Sequence, residues 1–249
     1  MQFKSFVVLA LSTAALAAAG STEEKRQVPL ANVYETCVTP GTAAVTFDDG
    51  PYNYVNAILK TLKDNNAKAT FFMNGNNWRC IYDMDVSVLN VLGEGHQIAS
   101  HTWSHPDLNT LKKDEIETQM SKVDEAIVKI TGKWPAFMRP PYGNYNDEVR
   151  EVAAARGQSL VNWDFDSGDS VGFTAPQSED AYAKLIEKKP STIIALNHET
   201  KETTAKEVVA NVIPQLAAAG YKMVTVSECL GMPAYINETA PQTKDPKTW

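Results

Sequence analysis

From Ala43 onward, short runs of β-forming residues alternate with segments of helical periodicity, an order that few folds accommodate. The runs span residues 43–47, 69–72, 96–99, 136–138, 159–163, 192–196 and 222–226. Between the first two, Val55, Ile58, Leu59 and Leu62 recur at helical spacing. A second helix is expected over 86–93, and Ile116, Met120, Val123, Ile127 and Ile130 give a long helix its core face. Further helices are expected over 147–156, stopped by Gly157, around 181–188, and over 204–219, ended by Gly220. Such alternation predicts a parallel sheet with helices outside it. A chain of 249 residues suits a (β/α) barrel slightly smaller than the eightfold form, with an open doubly wound sheet as the other architecture.

The ends read differently. Lys4 followed by the apolar run 6–19 is too short to span a bilayer and reads as a secretory signal peptide over 1–19. Residues 20–36 form a charged N-terminal or propeptide segment, with cleavage expected after the dibasic pair Lys25-Arg26. The main domain is expected over 37–231, followed by a polar, irregular tail over 232–249 that wraps the surface. With hydrophobic residues at 43% and charged residues at 21%, the chain is globular rather than disordered. Its net charge of -7 disfavours nucleic acid and anionic membranes as partners. The signal peptide makes export the expectation, and a monomer is expected. In an exported chain Cys37 and Cys229, which flank the domain, could close it by a long-loop disulfide, leaving Cys80 as a buried thiol. One N-glycosylation sequon occurs in the tail, at Asn237-Glu238-Thr239.

The polar residues fall in places that ordinary surface charges would not favour. Asp48 and Asp49 follow the first run, and His101 and His105 the third. Arg139 follows the fourth, Asp166 and Asp169 the fifth, and His198 the sixth. In parallel α/β folds these strand ends open onto one face, where ligands bind. His101 and His105 at i and i+4 lie on one face of a helical turn and can chelate one cation, with Asp49 or Asp48 as the third ligand. Adjacent carboxylates repel unless a cation or proton intervenes, which suggests that one binds the metal while the other acts as a general base. Arg139, ahead of Pro140-Pro141-Tyr142-Gly143, could orient a carboxylate by a bidentate pair, and a stiffened backbone N–H there could face an oxyanion. His198, near Asp166 or Asp169, is a candidate general acid, whereas His96 precedes its strand and reads as a core histidine.

Five motifs occur in this order: Thr46-Phe47-Asp48-Asp49-Gly50-Pro51, Ser100-His101-Thr102-Trp103-Ser104-His105-Pro106, Arg139-Pro140-Pro141-Tyr142-Gly143, Asp166-Ser167-Gly168-Asp169 and Leu196-Asn197-His198. Together they resemble polysaccharide deacetylases of the NodB-homology type, most closely secreted fungal chitin deacetylases. The resemblance implies a distorted (β/α)7-type barrel and a divalent metal, zinc first and cobalt second. It implies Asp48 as catalytic base and Asp49, His101 and His105 as metal ligands. Arg139 matches the residue that orients the base, Tyr142 the oxyanion-hole N–H, His198 the general acid and Asp169 its support. Leu196 and Trp78 resemble residues that shape the pocket around acetyl methyl and sugar. Ser170 departs from the aromatic residue common after the fourth motif, which leaves Asp166 as the other support for His198. The Cys37–Cys229 pairing agrees with the fungal pattern. The implied reaction is removal of N-acetyl groups from chitin or its oligosaccharides, giving chitosan and acetate. Peptidoglycan or acetylxylan are the alternative substrates, and a non-catalytic glycan-binding protein is the alternative of another class.

Overall fold

The computed structural model describes residues 29–242 and residue 244, so the expected signal peptide and the expected cleavage after Lys25-Arg26 lie outside the described residues. The chain enters through β1 (Val33–Tyr34) and then β2 (Thr42–Gly50), whose residues Ala43 to Phe47 are fully buried. Burial on both faces marks β2 as a central strand of a parallel sheet. Next come α1 (Val55–Asp64), β3 (Ala69–Met73), α2 (Asp85–Gly93) and β4 (Gln97–Ser100). α3 (Lys113–Thr131) buries Ile116, Met120, Val123, Ile127 and Ile130 as their spacing requires, and Gly132 ends it in a left-handed conformation. β5 (Lys133–Pro135), β6 (Phe137–Met138), α4 (Asp147–Ala155), β7 (Ser159–Val161), β8 (Phe165–Asp166), α5 (Ala175–Lys188) and β9 (Thr192–His198) follow. A wide π turn over Thr204–Val208 runs into α6 (Val209–Ala218), and β10 (Lys222–Met223), α7 (Val226–Leu230) and β11 (Tyr235–Glu238) complete the order.

The main sheet runs β1-β7-β6-β4-β3-β2-β9-β8, with β10 joined to the start of β2, and every pairing is parallel. β1 and β8 end the path, so the expected barrel is curled but open between them. Val45, Phe47, Phe71, Ile98, Ile193 and Ala195 pack in one large core with the buried faces of α1, α3 and α6. The alternate residues Ala44, Phe72, Ala99 and Ile194 pack in a second core with Val226, Cys229 and Leu230 of α7. α7 sits at the N-terminal ends of the strands, where Val226 N donates to Thr70 Oγ1 and Ser227 N to Gln97 Oε1, both at 2.9 Å. That end is plugged, which leaves the C-terminal ends as the mouth.

Three expectations change. The seventh run stops at Met223, because the Thr225 side chain accepts from Glu228 N at 3.2 Å and starts α7 instead. The sheet begins at Val33, inside the segment 20–36 that composition placed outside the domain. The tail is also not wholly irregular: β11 pairs antiparallel with β5, carries Asn237 on an exposed strand, and is anchored by Tyr235, whose hydroxyl accepts from Ile98 N.

Cys37 and Cys229 are bonded across 192 residues of sequence, tying the segment before β2 to α7. Cys80 is free, although half-buried rather than enclosed. Closing so long a loop restricts the unfolded chain, so replacing both cysteines by alanine is expected to cost about 2–5 kcal/mol. Chemical denaturation measures this directly, and an unchanged midpoint would show that α7 holds without its tether.

Candidate active site at the strand ends

β2 delivers two consecutive carboxylates to one place. Adjacent strand residues ordinarily point to opposite faces. Here the β2–β3 register shifts between Asp48 and Gly50, and Asp49 takes φ 70°, so Asp49 is the extra residue of a bulge that re-aims its side chain. Both aspartates line a cavity of about 380 Å³ with His101, His105, Tyr142, Leu196 and His198.

His101 follows β4 and is 2% exposed. Its Nδ1 lies 2.7 Å from the Arg139 carbonyl oxygen, so Nδ1–H donates there and the Nε2 lone pair faces the aspartates. Burial, with His105 adding to it, pushes the His101 pKa down to about 3, which keeps the ring neutral as a ligand must be. The expected helical turn between the histidines does not form. Thr102 and His105 adopt φ 70° and 60°, and Pro106 disfavours helical backbone at His105. The loop instead folds back, with His105 N donating to Thr102 Oγ1, and sets the two rings 4.9 Å apart. Asn74, after β3, holds this loop by donating to the carbonyls of His101 and Thr102. His105 Nε2 and His101 Nε2 lie 3.4 Å and 3.8 Å from Asp49 Oδ1, and the three donor atoms lie within 4.8 Å of one another. Ligands at about 2.0–2.1 Å from a tetrahedral zinc are roughly 3.3 Å apart, so this donor set fits one small divalent cation.

Arg139 is fully buried and aims Nη1 at Asp48 Oδ1, 2.7 Å away. The pair is not bidentate as expected, because the other donors are used elsewhere: Nε reaches Val161 O and Nη2 reaches Asn162 O. Nη1 also meets Thr46 Oγ1, and the guanidinium lies 4.1 Å from the Phe72 ring centre. Asp48 is 2% exposed; burial raises its pKa, while Arg139 first and His198 next pull it back.

His198 ends β9, directly across from Asp48 in register. Its support is Asp169 and not Asp166. Asp169 Oδ1 accepts from His198 Nδ1 at 2.7 Å, while Oδ2 accepts from His198 N and Thr204 Oγ1, both at 2.8 Å. Asp166 instead accepts from Gly168 N. Burial opposes the charged imidazolium, and the Asp169 carboxylate overcomes it, so the His198 pKa is raised above 6.5. Tyr142 stands at the corner of a tight turn with φ 61°, where Gly143 N and Asn144 N donate to the Pro140 and Pro141 carbonyls, and its ring meets His105 edge-on. Leu196 is 4% exposed and lines the cavity floor, but Trp78 stands outside the lining, half-exposed against Tyr52.

Residues 35–161 match the family model for polysaccharide deacetylase. The chain belongs to that family. It is 36% identical to a chitin deacetylase from Pestalotiopsis over 89% of this chain and 74% of the relative. It is 35% identical to one from Colletotrichum lindemuthianum over 89% of this chain and 93% of the relative. The solved structure of the Colletotrichum enzyme superposes with a TM-score of 0.78 at 31% identity, covering 85% of this chain and 97% of that one. A peptidoglycan deacetylase from Bacillus subtilis gives a TM-score of 0.69 at 31% identity, covering 76% and 90%.

Sequence reasoning missed several residues of this deacetylase site. Trp163 and Val171 line the cavity beside Ser170, which the sequence marked only as a departure from the fourth motif, and Trp163 belongs to no motif that carries charge. Glu199, next to His198, is fully buried, accepts from Tyr52 N through Oε1, and leaves Oε2 without a hydrogen-bond partner. Burial, with the Asp49 charge adding to it and the Tyr52 N–H opposing, pushes the Glu199 pKa up to about 8. Its only signal in sequence was an acidic residue directly after a strand-end histidine. His96 has the core role expected of it, taking the Ala69 N–H on Nδ1.

Proposed function

We propose that this enzyme hydrolyses the N-acetyl groups of N-acetylglucosamine units in chitin or chitin oligosaccharides, giving chitosan and acetate. The observation that carries this reading is the facing pair in the cavity: the carboxylate Asp48, held by Arg139, stands opposite the imidazole His198, held by Asp169, beside three donors suited to a cation. An amide needs both a base to activate water and an acid to release nitrogen, and the site offers both. The chitin deacetylase relatives at 36% and 35% identity support chitin as the substrate.

A divalent cation, zinc for a donor set of two imidazoles and one carboxylate and cobalt as the alternative, would be held by Asp49, His101 and His105, and when bound it polarises a carbonyl and makes a water more acidic. Asp48 accepts the proton of the water that attacks the acetyl carbon, while Arg139 keeps the accepting oxygen in place. The Tyr142 N–H, at its turn corner, donates to the developing oxyanion, a contact worth about 2.7–4 kcal/mol in sites of this kind. His198 gives its Nε2 proton to the departing nitrogen, so the C–N bond breaks to a free amine and acetate. Leu196 shapes the apolar floor under the acetyl methyl, and Trp78 offers a ring to a neighbouring sugar.

Export fits the Cys37–Cys229 disulfide and the lack, among the described residues, of a helix long and apolar enough to cross a membrane. The same proposal has the mature protein monomeric, without nucleic-acid or membrane partners, and glycosylated at the exposed Asn237. The test is acetate release from chitin oligomers, peptidoglycan and acetylxylan, each with native, chelated and zinc-restored protein. Chitin oligomers are expected to react fastest, chelation to abolish release and zinc to restore it. Faster release from peptidoglycan would reassign the substrate, and full activity after chelation would remove the metal from the reaction.

A further inference from the structure

The turn that carries Asp48 and Asp49 is not at rest by itself. Asp49 sits at φ 70°, in the left-handed region that a non-glycine residue keeps only where its surroundings fix it. Three hydrogen bonds reach the backbone of the turn. Asp48 O accepts from Glu199 N at 3.2 Å, Gly50 O accepts from Asn74 N at 2.7 Å, and Tyr52 N donates to Glu199 Oε1 at 2.5 Å. Glu199 supplies the first through its backbone and the third through its side chain, while Asn77 Nδ2 (3.4 Å from Asp49 Oδ1) and Arg139 hold the aspartate side chains themselves. The Glu199 carboxyl also lies against the backbone of Gly50, since a Cβ built on Gly50 would fall 2.1 Å from Oε2. Gly50 has no positive φ, so it is glycine for this close approach rather than for backbone freedom.

We propose that Glu199 is the positioning residue of the Asp48–Asp49 turn: its buried side chain, set against Gly50 and bonded to Tyr52 N–H, holds both aspartates at the spacing the cation and the attacking water require. This rests on the reading of Asp49 as a metal ligand. Glu199 touches no reacting atom and acts through the turn alone. Its function is carried by shape and by one accepting oxygen, both of which glutamine retains, whereas methionine fills the space without accepting and alanine does neither.

The test is zinc titration of metal-stripped wild type, Glu199→Ala, Glu199→Met, Glu199→Gln and Asp49→Asn, each below its own melting temperature. The expected result is zinc binding weakened ~10-fold or more in Glu199→Ala and Glu199→Met, with most of the affinity recovered in Glu199→Gln. If the alanine variant does not fold, the methionine variant, which preserves the packing, carries the comparison. Wild-type affinity in the variants that fold would overturn the proposal, as would equal weakening in all three, since that would assign the effect to the charge and not the fit. Zinc binding unaffected by Asp49→Asn would instead sink the metal-site reading itself, so the two failures are separable.

Discussion

Asp48→Asn is expected to lower the rate of acetate release by about a thousandfold while leaving zinc affinity within a few-fold of wild type. The substitution is nearly isosteric, and an amide oxygen can still accept from Arg139 Nη1, so the buried guanidinium keeps a partner alongside Thr46 Oγ1, Val161 O and Asn162 O. The donors Asp49, His101 and His105 are untouched, and His101 remains oriented by the Arg139 carbonyl. What disappears is the capacity to take a proton. In the wild type burial raises the Asp48 pKa against the pull of Arg139, so activity falls as pH drops through that value and the base is lost. The asparagine variant should lack this acid limb as well as the rate. Measuring kcat at saturating zinc, beside a zinc titration, separates a lost base from a lost metal. Wild-type turnover in the variant would reject the assignment of Asp48.

The contrast between Asp48 and Asp49 shows how far the sequence could be read. Buried runs and helical spacing located the long strands and helices, because β2, β3 and β9 each carry four apolar residues and α3 repeats its core face over five residues. From those strand ends the convergence of Asp48, Asp49, His101, His105, Arg139 and His198 followed. The short strands β1, β5, β8 and β11 escaped, since two to four residues show no period. The bulge at Asp49 escaped too, as it is a property of pairing with β3 and of no residue alone. The turn predicted for His101 to His105 failed because i, i+4 spacing was taken for helix where Pro106 and two left-handed residues forbid it. Glu199 was hidden for a related reason: a charged residue after a strand reads as surface, and only packing against Gly50 shows otherwise.

The choice between Asp166 and Asp169 was also beyond the sequence, and it sets up the second large effect. Asp169→Asn is expected to lower turnover about a hundredfold at pH 8 and to move the alkaline limb of the rate profile to lower pH. The sign follows from the two influences on His198. Burial alone pushes the imidazole below its usual 6.5, and the Asp169 carboxylate at 2.7 Å lifts it above that value. As an acid His198 works only while protonated, so wild-type activity is lost as pH rises through the raised pKa. Once the carboxylate is neutral, burial is left without its opponent, the pKa falls, and the loss begins earlier. The deficit should therefore shrink toward pH 5, where His198 is protonated in larger part in both proteins. Asp166→Asn provides the comparison, because Asp166 lines the same cavity but bonds Gly168 N, while the His198 Nδ1 hydrogen bond goes to Asp169. The measurement is kcat against pH for the three proteins with zinc saturating. An alkaline limb unmoved in Asp169→Asn, or moved equally by Asp166→Asn, would take His198 out of the role of proton donor.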